Sequence, residues 1–208
     1  MKDSRRATVY ALCALLFALA VGLGFAVIHG IGDPLDLAAL KFFALRDGRS
    51  PDALIGLAKL LSDIGSAGQR GLIIAAFAAL LWWKKRPRAA LVMLVVPALA
   101  GVTSTILKEA FGRLRPALVP HLDTVSSLSF PSGHAVNTAA IFLLAALLLP
   151  GQRQGLRWIF AVGGVLMIGW SRLALGVHWP SDVIGGWMMG LAFALAGHQI
   201  ALRLETGK

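Results

Sequence analysis

The sequence has few cysteines and few charged residues for its length. Its single cysteine, Cys13, excludes an intrachain disulfide and a metal cluster built from thiolates. Cys13 lies in an apolar run and is interpreted as a small core residue. Charged residues make up 14% of the chain, against about 25% in soluble globular domains, while hydrophobic residues make up 57%. With a mean hydropathy of +0.75, this composition predicts an integral membrane protein.

Acidic residues are scarcer than basic ones, 10 against 20, and the formal net charge is +10. A basic excess can indicate nucleic-acid binding, but these basic residues lie between apolar runs rather than among aromatic residues on a polar face. We therefore expect the membrane bilayer, and no nucleic acid, to be the partner of this charge. Because no linker or low-complexity tract interrupts the chain, residues 1–208 are expected to form a single domain.

Six apolar runs approach the length of about 20 residues that a bilayer-spanning helix needs. The first is interpreted as a transmembrane helix rather than a cleaved signal peptide, because it is too long and lacks a clear small-residue cleavage site. The second is short and is expected to begin earlier. The fold class predicted is all-α, a polytopic membrane protein with six transmembrane helices at about 8–28, 71–83, 89–107, 133–149, 158–175 and 183–202.

Between the first two runs, at about residues 30–70, charged residues of both signs are mixed with apolar residues at helical spacing. This pattern predicts two short amphipathic helices, around 37–40 and 54–61, lying at the membrane interface. Such helices would cover or flank a lipid entrance. The alternative is a solvated connector with some helix.

Six crossings place both termini on one side of the membrane. The basic residues expected on that side are Lys2, Arg5, Arg6, Lys84, Lys85, Arg86, Arg88, Arg153, Arg157, Arg203 and Lys208, against two acidic residues. The other side has nine basic and eight acidic residues. The positive-inside rule therefore predicts cytoplasmic termini in the cell (inner) membrane, with the opposite ends of the helices facing the periplasmic or extracytoplasmic side.

One polar segment, from Ser171 to Asp182, interrupts the apolar C-terminal half. His178 and Asp182 are four residues apart, so if Pro180 opens a helix they share one side of its first turn, and the carboxylate accepts one ring N–H. The other ring nitrogen is then free for nucleophilic attack. Arg172 adds a planar fork of donors that fits phosphate. Alone, the segment is equally consistent with a salt-bridged helix end.

A second polar segment contains two cations at the end of the third apolar run. Lys108 and Arg115 are seven residues apart and share a helical face if the helix continues to Pro116. Two cations on one face favour an anion. The alternative is that both side chains reach towards lipid headgroups at a helix end.

A third segment, Ser132, Gly133 and His134, directly precedes an apolar helix. Ser132 is placed to cap the helix, Gly133 lets a ligand approach the backbone, and the free N–H groups at the helix start attract an anion. His134 would then lie beside that anion as a proton donor. Together the three segments predict a phosphate site with a nucleophile and an acid.

In these motifs the sequence strongly resembles the type 2 phosphatidic acid phosphatase family, the membrane relatives of vanadium haloperoxidases. The family signature is Lys, six residues and Arg-Pro; then Pro-Ser-Gly-His; then Ser-Arg, five residues, His, three residues and Asp. The chain matches it without departure at 108–116, 131–134 and 171–182. The resemblance implies a haloperoxidase-like helical core.

The resemblance also implies a role for each site residue. His178 would attack phosphorus to form a phosphohistidine, oriented by Asp182, and His134 would protonate the leaving oxygen and later activate water. The phosphoryl oxygens would be held by Lys108, Arg115, Ser132, the Gly133 backbone and Arg172. No metal and no other cofactor is expected, because these cations stabilise the phosphoryl charge.

Several nearby residues receive weaker interpretations. Arg113 lies off the face proposed for Lys108 and Arg115 and is expected to contact a lipid headgroup, while Trp179 is expected to anchor the interface. The remaining histidines are interpreted as structural or incidental: His29, His121 and His198.

A site at the membrane surface predicts a lipid phosphate or diphosphate whose tail stays in the bilayer. The resemblance extends to phosphatases of undecaprenyl diphosphate, phosphatidylglycerophosphate and phosphatidic acid, with lipid A phosphatases as an alternative. The motifs contact only the phosphate, so specificity is expected to lie in 30–70 and 117–128. Two other classes are vanadate-dependent haloperoxidase chemistry and lipid binding or transport without turnover, although transport favours ionisable groups along a pathway across the membrane.

Overall fold

The computed structural model describes residues 2–206, and every regular element in that range is an α-helix. The helices are α1 (Lys2–Ile28), α2 (Asp33–Phe43), α3 (Asp52–Ile64), α4 (Ala67–Trp83), α5 (Pro87–Phe111), α6 (Gly133–Leu148), α7 (Gln154–Ala174) and α8 (Pro180–Thr206). The all-α class predicted from the sequence is confirmed.

Helix α6 lies at the centre of the bundle. Of its 16 residues, 12 are buried, and it packs most extensively against α8, then against α7 and α5. Its sequence is almost entirely small and apolar, so it offers a packing surface in every direction and needs no polar face. Helix α1 packs on the far side of α8, and α4 packs beside α5.

Small residues allow α6 and α8 to approach closely. A Cβ built on Gly186 would lie 2.8 Å from the Ala135 Cβ, and one built on Gly190 would lie 2.5 Å from both the Ala139 Cβ and the Val136 carbonyl oxygen. Real Cβ atoms do not make such contacts, so only glycine fits at these two positions. Close packing through small residues is typical of membrane helices, because lipid supplies no hydrophobic drive for their association.

Four helices are long and apolar enough to cross a membrane: α1, α5, α7 and α8. Helices α3 and α4 pass the same test only as a pair, bent by 58° at the short break between them. The predicted second span therefore begins earlier than Gly71, within this bent pair. Helix α6 is apolar but has only 16 residues. Among residues 2–206 the structure thus has four to five candidate spans, and the predicted count of six is not confirmed.

Hydrogen bonds hold one end of the bundle together. The Arg86 guanidinium donates to the Glu205 carboxylate at 2.9 Å and to the Leu148 carbonyl oxygen. These contacts join the start of α5 to the ends of α6 and α8.

The three motif segments lie close together at the opposite end of the bundle. The backbone N–H of Ser132 donates to the Asp182 carbonyl oxygen at 3.0 Å, and that of Leu122 donates to the Leu175 carbonyl oxygen at 3.0 Å. The long connection 112–132, the start of α6 and the turn 175–179 therefore meet at one end. Helices α2 and α3, which occupy the segment predicted to hold two short helices, pack against α7 beside this end.

Replacing Gly190 with alanine tests the close contact of α6 and α8. The new methyl group would force the two helices apart, and we expect such overpacking to cost about 1–3 kcal/mol of stability. In detergent, the variant should melt at a lower temperature than wild type. Size-exclusion chromatography of samples heated to increasing temperatures measures the melting. Gly163→Ala in α7 is the matched control, because a Cβ there faces open space. Equal melting of the two variants would contradict this packing arrangement.

Candidate active site

The His178 and Asp182 side chains form a buried pair at the start of α8. The Nδ1 atom of His178 lies 3.2 Å from Oδ2 of Asp182, and the two residues are 1% and 0% exposed. Pro180 begins α8, so the four-residue spacing brings both side chains to its first turn. With Nδ1–H donating to the carboxylate, Nε2 carries the lone pair. That nitrogen accepts a hydrogen bond from the Arg115 Nη1, 3.2 Å away.

Burial lowers the pKa of His178 well below its ordinary value, and the positive charges of Arg115 and Lys108 lower it further. The ring is therefore neutral at pH 7. A neutral imidazole with one nitrogen fixed by a carboxylate has its other lone pair free for attack on an electrophile.

The Asp182 carboxylate accepts hydrogen bonds from other donors in addition to His178. Oδ1 accepts from the Arg113 Nη1 at 2.6 Å, and Oδ2 accepts from the Ser129 hydroxyl at 2.5 Å and from the Trp179 backbone N–H at 2.9 Å. The Ser129 hydroxyl also lies 3.4 Å from Nδ1 of His178. These contacts fix the carboxylate plane, and the plane fixes the orientation of the imidazole.

Arg115 reaches the site from a loop, so the condition for a shared helical face with Lys108, a helix that continues to Pro116, is not met. Helix α5 ends at Phe111, and Gly112 adopts φ 61°, a left-handed conformation in which its N–H donates to the Lys108 carbonyl oxygen at 3.0 Å. This glycine cap ends the helix before Arg115. Arg115 is instead positioned by the Ser127 and Val177 carbonyl oxygens, each 2.6 Å from the guanidinium. Burial, and then the charge of Arg172, lower its pKa to about 10.

Lys108 and Arg172 are both buried and both reach the cavity from the last turns of helices. The Lys108 ammonium donates to the Leu128 and Ser129 carbonyl oxygens at 2.5 and 3.2 Å. Arg172, 1% exposed, donates from Nη1 to the Asp123 carboxylate at 2.7 Å and to the Ser62 hydroxyl.

Asp123 is therefore an acidic neighbour of the cationic cluster. Burial alone would raise the pKa of Asp123, but hydrogen bonds from Arg172 and Ser62 outweigh burial and place the pKa below its ordinary value. Asp123 is charged at neutral pH, and it balances part of the positive charge around Arg172.

The start of α6 supplies the remaining residues. Ser132 is the N-cap residue, but its side chain makes no capping hydrogen bond, which corrects the predicted hydroxyl cap. Its buried hydroxyl, like that of Ser104, has no hydrogen-bond partner among the described residues, and Ser104 lines the cavity of the site. The His134 Nε2 lies 3.2 Å from the Ser62 carbonyl oxygen. Gly65 lies directly under this ring, since a Cβ there would be 2.6 Å from the His134 Cδ2.

A cavity of about 840 Å³ unites these groups. Its polar end is lined by Lys108, Arg115, Gly133, His134, Arg172 and His178. Of the eight predicted site residues, Ser132 and Asp182 lie behind this lining rather than in it. Among residues 2–206, no group of three His, Cys, Asp or Glu side chains is arranged to hold a metal ion.

The other residues considered in the sequence do not line the cavity. The Arg113 guanidinium is buried against Asp36 and Asp182, so the predicted headgroup contact is wrong. The indole N–H of Trp179 donates to the Leu114 carbonyl oxygen at 3.0 Å, and the Arg113 guanidinium lies 5.5 Å from its ring centre. Trp179 thus fixes the start of the connection 112–132 at Leu114. The His121 Nε2 lies 2.7 Å from the Pro116 carbonyl oxygen.

Several polar residues around the site were given no role there from the sequence: Asp36, Ser62, Asp123, Ser129 and Ser181. Asp36 and Ser62 reach the site from helices far away along the chain, so no local spacing marks them. The available signal was the charge itself, because an aspartate that is buried in so apolar a protein requires a partner.

Comparison with known proteins supports the family resemblance that the three motifs indicate. The family model of the PAP2 superfamily matches residues 89–205. Phosphatidylglycerophosphatase B of Bacillus subtilis is 34% identical over 137 residues, 63% of this chain and 67% of its own. An undecaprenyl-diphosphatase of Sulfolobus acidocaldarius is 29% identical over 168 residues, 77% of each chain.

A solved structure has the same fold over nearly the whole chain. The crystal structure of a transmembrane PAP2 type phosphatidylglycerolphosphate phosphatase from Bacillus subtilis superposes with a TM-score of 0.81 and 28% identity, covering 94% of this chain and 97% of the other. These similar proteins are lipid phosphatases. The family resemblance seen in the three motifs is confirmed: the chain belongs to the PAP2 superfamily.

Proposed function

We propose that this PAP2 lipid phosphatase hydrolyses the phosphate or diphosphate of a membrane lipid through a phosphohistidine on His178. The observation that carries the proposal is the neutral, buried imidazole, with Nδ1 on Asp182 and Nε2 facing a cluster of three cations in one cavity. A nucleophile oriented by a carboxylate and aimed at an anion site is the arrangement that phosphoryl transfer requires.

In the first step, Nε2 of His178 attacks phosphorus in line with the leaving oxygen. The N–P bond forms as the P–O bond breaks, and the electron pair remains on the leaving oxygen, which takes a proton from His134, protonated when the anionic phosphate binds beside it. The imidazole gains positive charge, and the Asp182 carboxylate stabilises it through Nδ1–H. Arg115 transfers its hydrogen bond from Nε2 to a phosphoryl oxygen as the substrate enters, because both acceptors need the same donor.

In the second step, water attacks phosphorus from the side opposite Nε2, and His134 takes its proton. The N–P bond breaks, its electron pair returns to Nε2, and inorganic phosphate leaves. Lys108, Arg115 and Arg172 hold the phosphoryl oxygens throughout, assisted by the free Ser132 hydroxyl and the N–H groups at the start of α6. Cations therefore stabilise the phosphoryl charge without a metal.

The shape of the cavity supports a lipid substrate. Beyond the cations it continues between α4 and α5, where its lining is small or apolar and includes Ile74, Pro97, Ala98, Gly101 and Val102. Val102 is 57% exposed on the outside of the bundle, where the bilayer would surround it. A lipid could place its phosphate among the cations while its tail lies along this groove, with no need to leave the membrane.

The substrates to examine first follow from the similar proteins and from the site. Phosphatidylglycerophosphate and undecaprenyl diphosphate are the lipids named for two of them. Phosphatidic acid presents the same terminal phosphate, and lipid A is the alternative with a bulkier body. Arg70, which also lines the cavity, adds a cation that suits a second phosphate or an anionic headgroup.

We further propose that α6 crosses the membrane in addition to α1, the bent pair α3 and α4, α5, α7 and α8, which makes six crossings. The termini are then cytoplasmic, and the site faces outward from the cell (inner) membrane. The 16 residues of α6 span about 24 Å, less than the hydrocarbon thickness of about 30 Å. Since other helices surround α6, it does not have to match that thickness. The basic loop 84–88 lies at the opposite end from the site, which agrees with the positive-inside rule.

Replacing His178 with alanine should abolish turnover. In detergent micelles with EDTA, wild type should release phosphate from at least one of undecaprenyl diphosphate, phosphatidic acid and phosphatidylglycerophosphate, and His178→Ala should lower kcat by about 10³-fold or more, because the nucleophile is gone. The control, His121→Ala, removes a histidine outside the cavity and should keep wild-type kcat. Equal activity in the His178 variant would refute the mechanism, and no release from any lipid would favour binding or transport.

Blocking the groove should affect long-chain substrates selectively. We expect Val102→Trp to raise KM for a long-chain phosphatidic acid roughly tenfold, a loss of about 1.4 kcal/mol of binding, and to leave hydrolysis of a dihexanoyl analogue unchanged. Leu99→Trp, on the same helix and also exposed but outside the groove, is the control. If Val102→Trp raises KM equally for both substrates, the tail does not lie between α4 and α5.

Cysteine labelling tests the orientation. In a Cys13→Ser background, a membrane-impermeant maleimide added to intact cells should label Ser126→Cys in the exposed loop beside the site. It should not label Lys84→Cys at the other end until the cells are broken. The reverse pattern would show that the site faces the cytoplasm.

A further inference from the structure

We propose that Asp36, on helix α2, is a positioning residue for the His178 and Asp182 pair and acts on it through Arg113. The inference rests on the proposed phosphohistidine mechanism and adds to it a residue from a segment outside the three motifs. It assigns to α2 a specific task at the site.

Arg113 connects the two aspartates directly. Its Nη1 donates to Oδ1 of Asp182 at 2.6 Å, and its Nη2 donates to Oδ2 of Asp36 at 2.7 Å. A guanidinium is planar, so two carboxylates bound at different nitrogens fix its rotation as well as its position. Asp182 therefore receives its hydrogen bond from a donor that cannot turn away, and Asp36 is the reason it cannot.

Asp36 also holds the first turn of α8, from which Asp182 projects. Oδ1 of Asp36 accepts from the Ser181 backbone N–H at 2.9 Å, and Oδ2 accepts from the Ser181 hydroxyl at 2.5 Å. The N–H groups at a helix start lack partners within the helix. Asp36 supplies such a partner from another helix, so it anchors both sides of Asp182, the arginine and the backbone.

Asp36, Arg113 and Asp182 are buried, so their contacts differ from those of an exposed surface ion pair. Asp36 is 4% exposed and Arg113 is 8% exposed, while Asp182 has no exposed surface. Exposed ion pairs contribute little, but removing one partner of a buried pair leaves an uncompensated charge and displaces its neighbours. A change at Asp36 must therefore be transmitted to Arg113 and from there to Asp182.

The charges of the three residues also match the chemistry. Two carboxylates and one guanidinium leave one net negative charge behind His178. During attack the imidazole becomes positively charged, and this net negative charge stabilises it at the stage where the N–P bond forms. The phosphate is bound on the other side of the ring by Lys108 and Arg172. Asp36 should therefore influence the rate of phosphorylation much more than the binding of the lipid phosphate.

Asp36→Asn is the direct test, because it keeps the shape and one acceptor oxygen but removes the charge. We expect kcat to fall roughly 10–100-fold, as for other residues that orient a catalytic group, with KM changed by less than about threefold. Rapid-quench measurement should place the loss in the formation of the phosphohistidine. Asp33→Asn removes the same charge from an exposed position one turn earlier in α2 and should keep wild-type kcat and KM.

A double-mutant cycle distinguishes positioning from general stabilisation. If Asp36 acts through Asp182, then Asp36→Asn in an Asp182→Asn background should lower single-turnover phosphorylation by less than about threefold more than Asp182→Asn alone. If Asp36 only stabilises the fold, its substitution should cost the same factor in both backgrounds. Melting temperatures of all variants, with rates normalised to folded protein, complete the comparison.

The outcomes are separable from those of the proposed function. Turnover by wild type and Asp33→Asn, lost in His178→Ala, supports the phosphatase mechanism whatever Asp36→Asn does. Given that result, unchanged kcat in Asp36→Asn, a loss confined to KM, or equal costs in the two backgrounds of the cycle would each overturn the role of Asp36. A loss of kcat that vanishes in the Asp182→Asn background supports it.

Discussion

The structure depends on the burial of one charge, the carboxylate of Asp182. A carboxylate removed from water is tolerated only when hydrogen bonds and an opposite charge replace its hydration. Arg113 and Ser129, in the connection 112–132, and His178 and the Trp179 backbone, in the turn 175–179, supply those partners. Satisfying this one group therefore requires the connection 112–132, the turn 175–179 and the start of α8 to occupy fixed positions, and the same positions orient the His178 imidazole.

The apolar bundle supplies the rigid frame for that arrangement. Gly186 and Gly190 bring α8 against α6 so closely that the starts of both helices share a backbone hydrogen bond, from Ser132 to Asp182. The start of α6 and the His178 imidazole before α8 are thereby held at the same cavity. Helix packing in the membrane and geometry at the site are consequences of the same small residues.

Placing the site at one end of the bundle reconciles two conflicting demands. Phosphoryl transfer needs concentrated positive charge, which is costly inside a hydrocarbon layer, whereas a lipid tail needs an apolar surface. The cavity meets both, since its cations cluster at the ends of α5 and α7 and in the loop after α5, and its groove continues between α4 and α5. The acidic groups Asp36 and Asp123 each bind a buried arginine, which limits the net charge that the fold must accommodate.

The sequence by itself determined the helical class, the membrane character, the family and the residues of the three motifs. These follow from composition and short-range spacing, because apolar length, glycine and proline placement, and the separation of His178 from Asp182 are local properties. The tertiary structure decided what spacing cannot encode. Gly112 ends α5 and sends Arg115 into a loop, the Ser132 hydroxyl is left free, and Asp36 reaches Arg113 across a separation of 77 residues. Such contacts depend on how the helices pack, and a buried charge finds its partner only when the whole chain has folded.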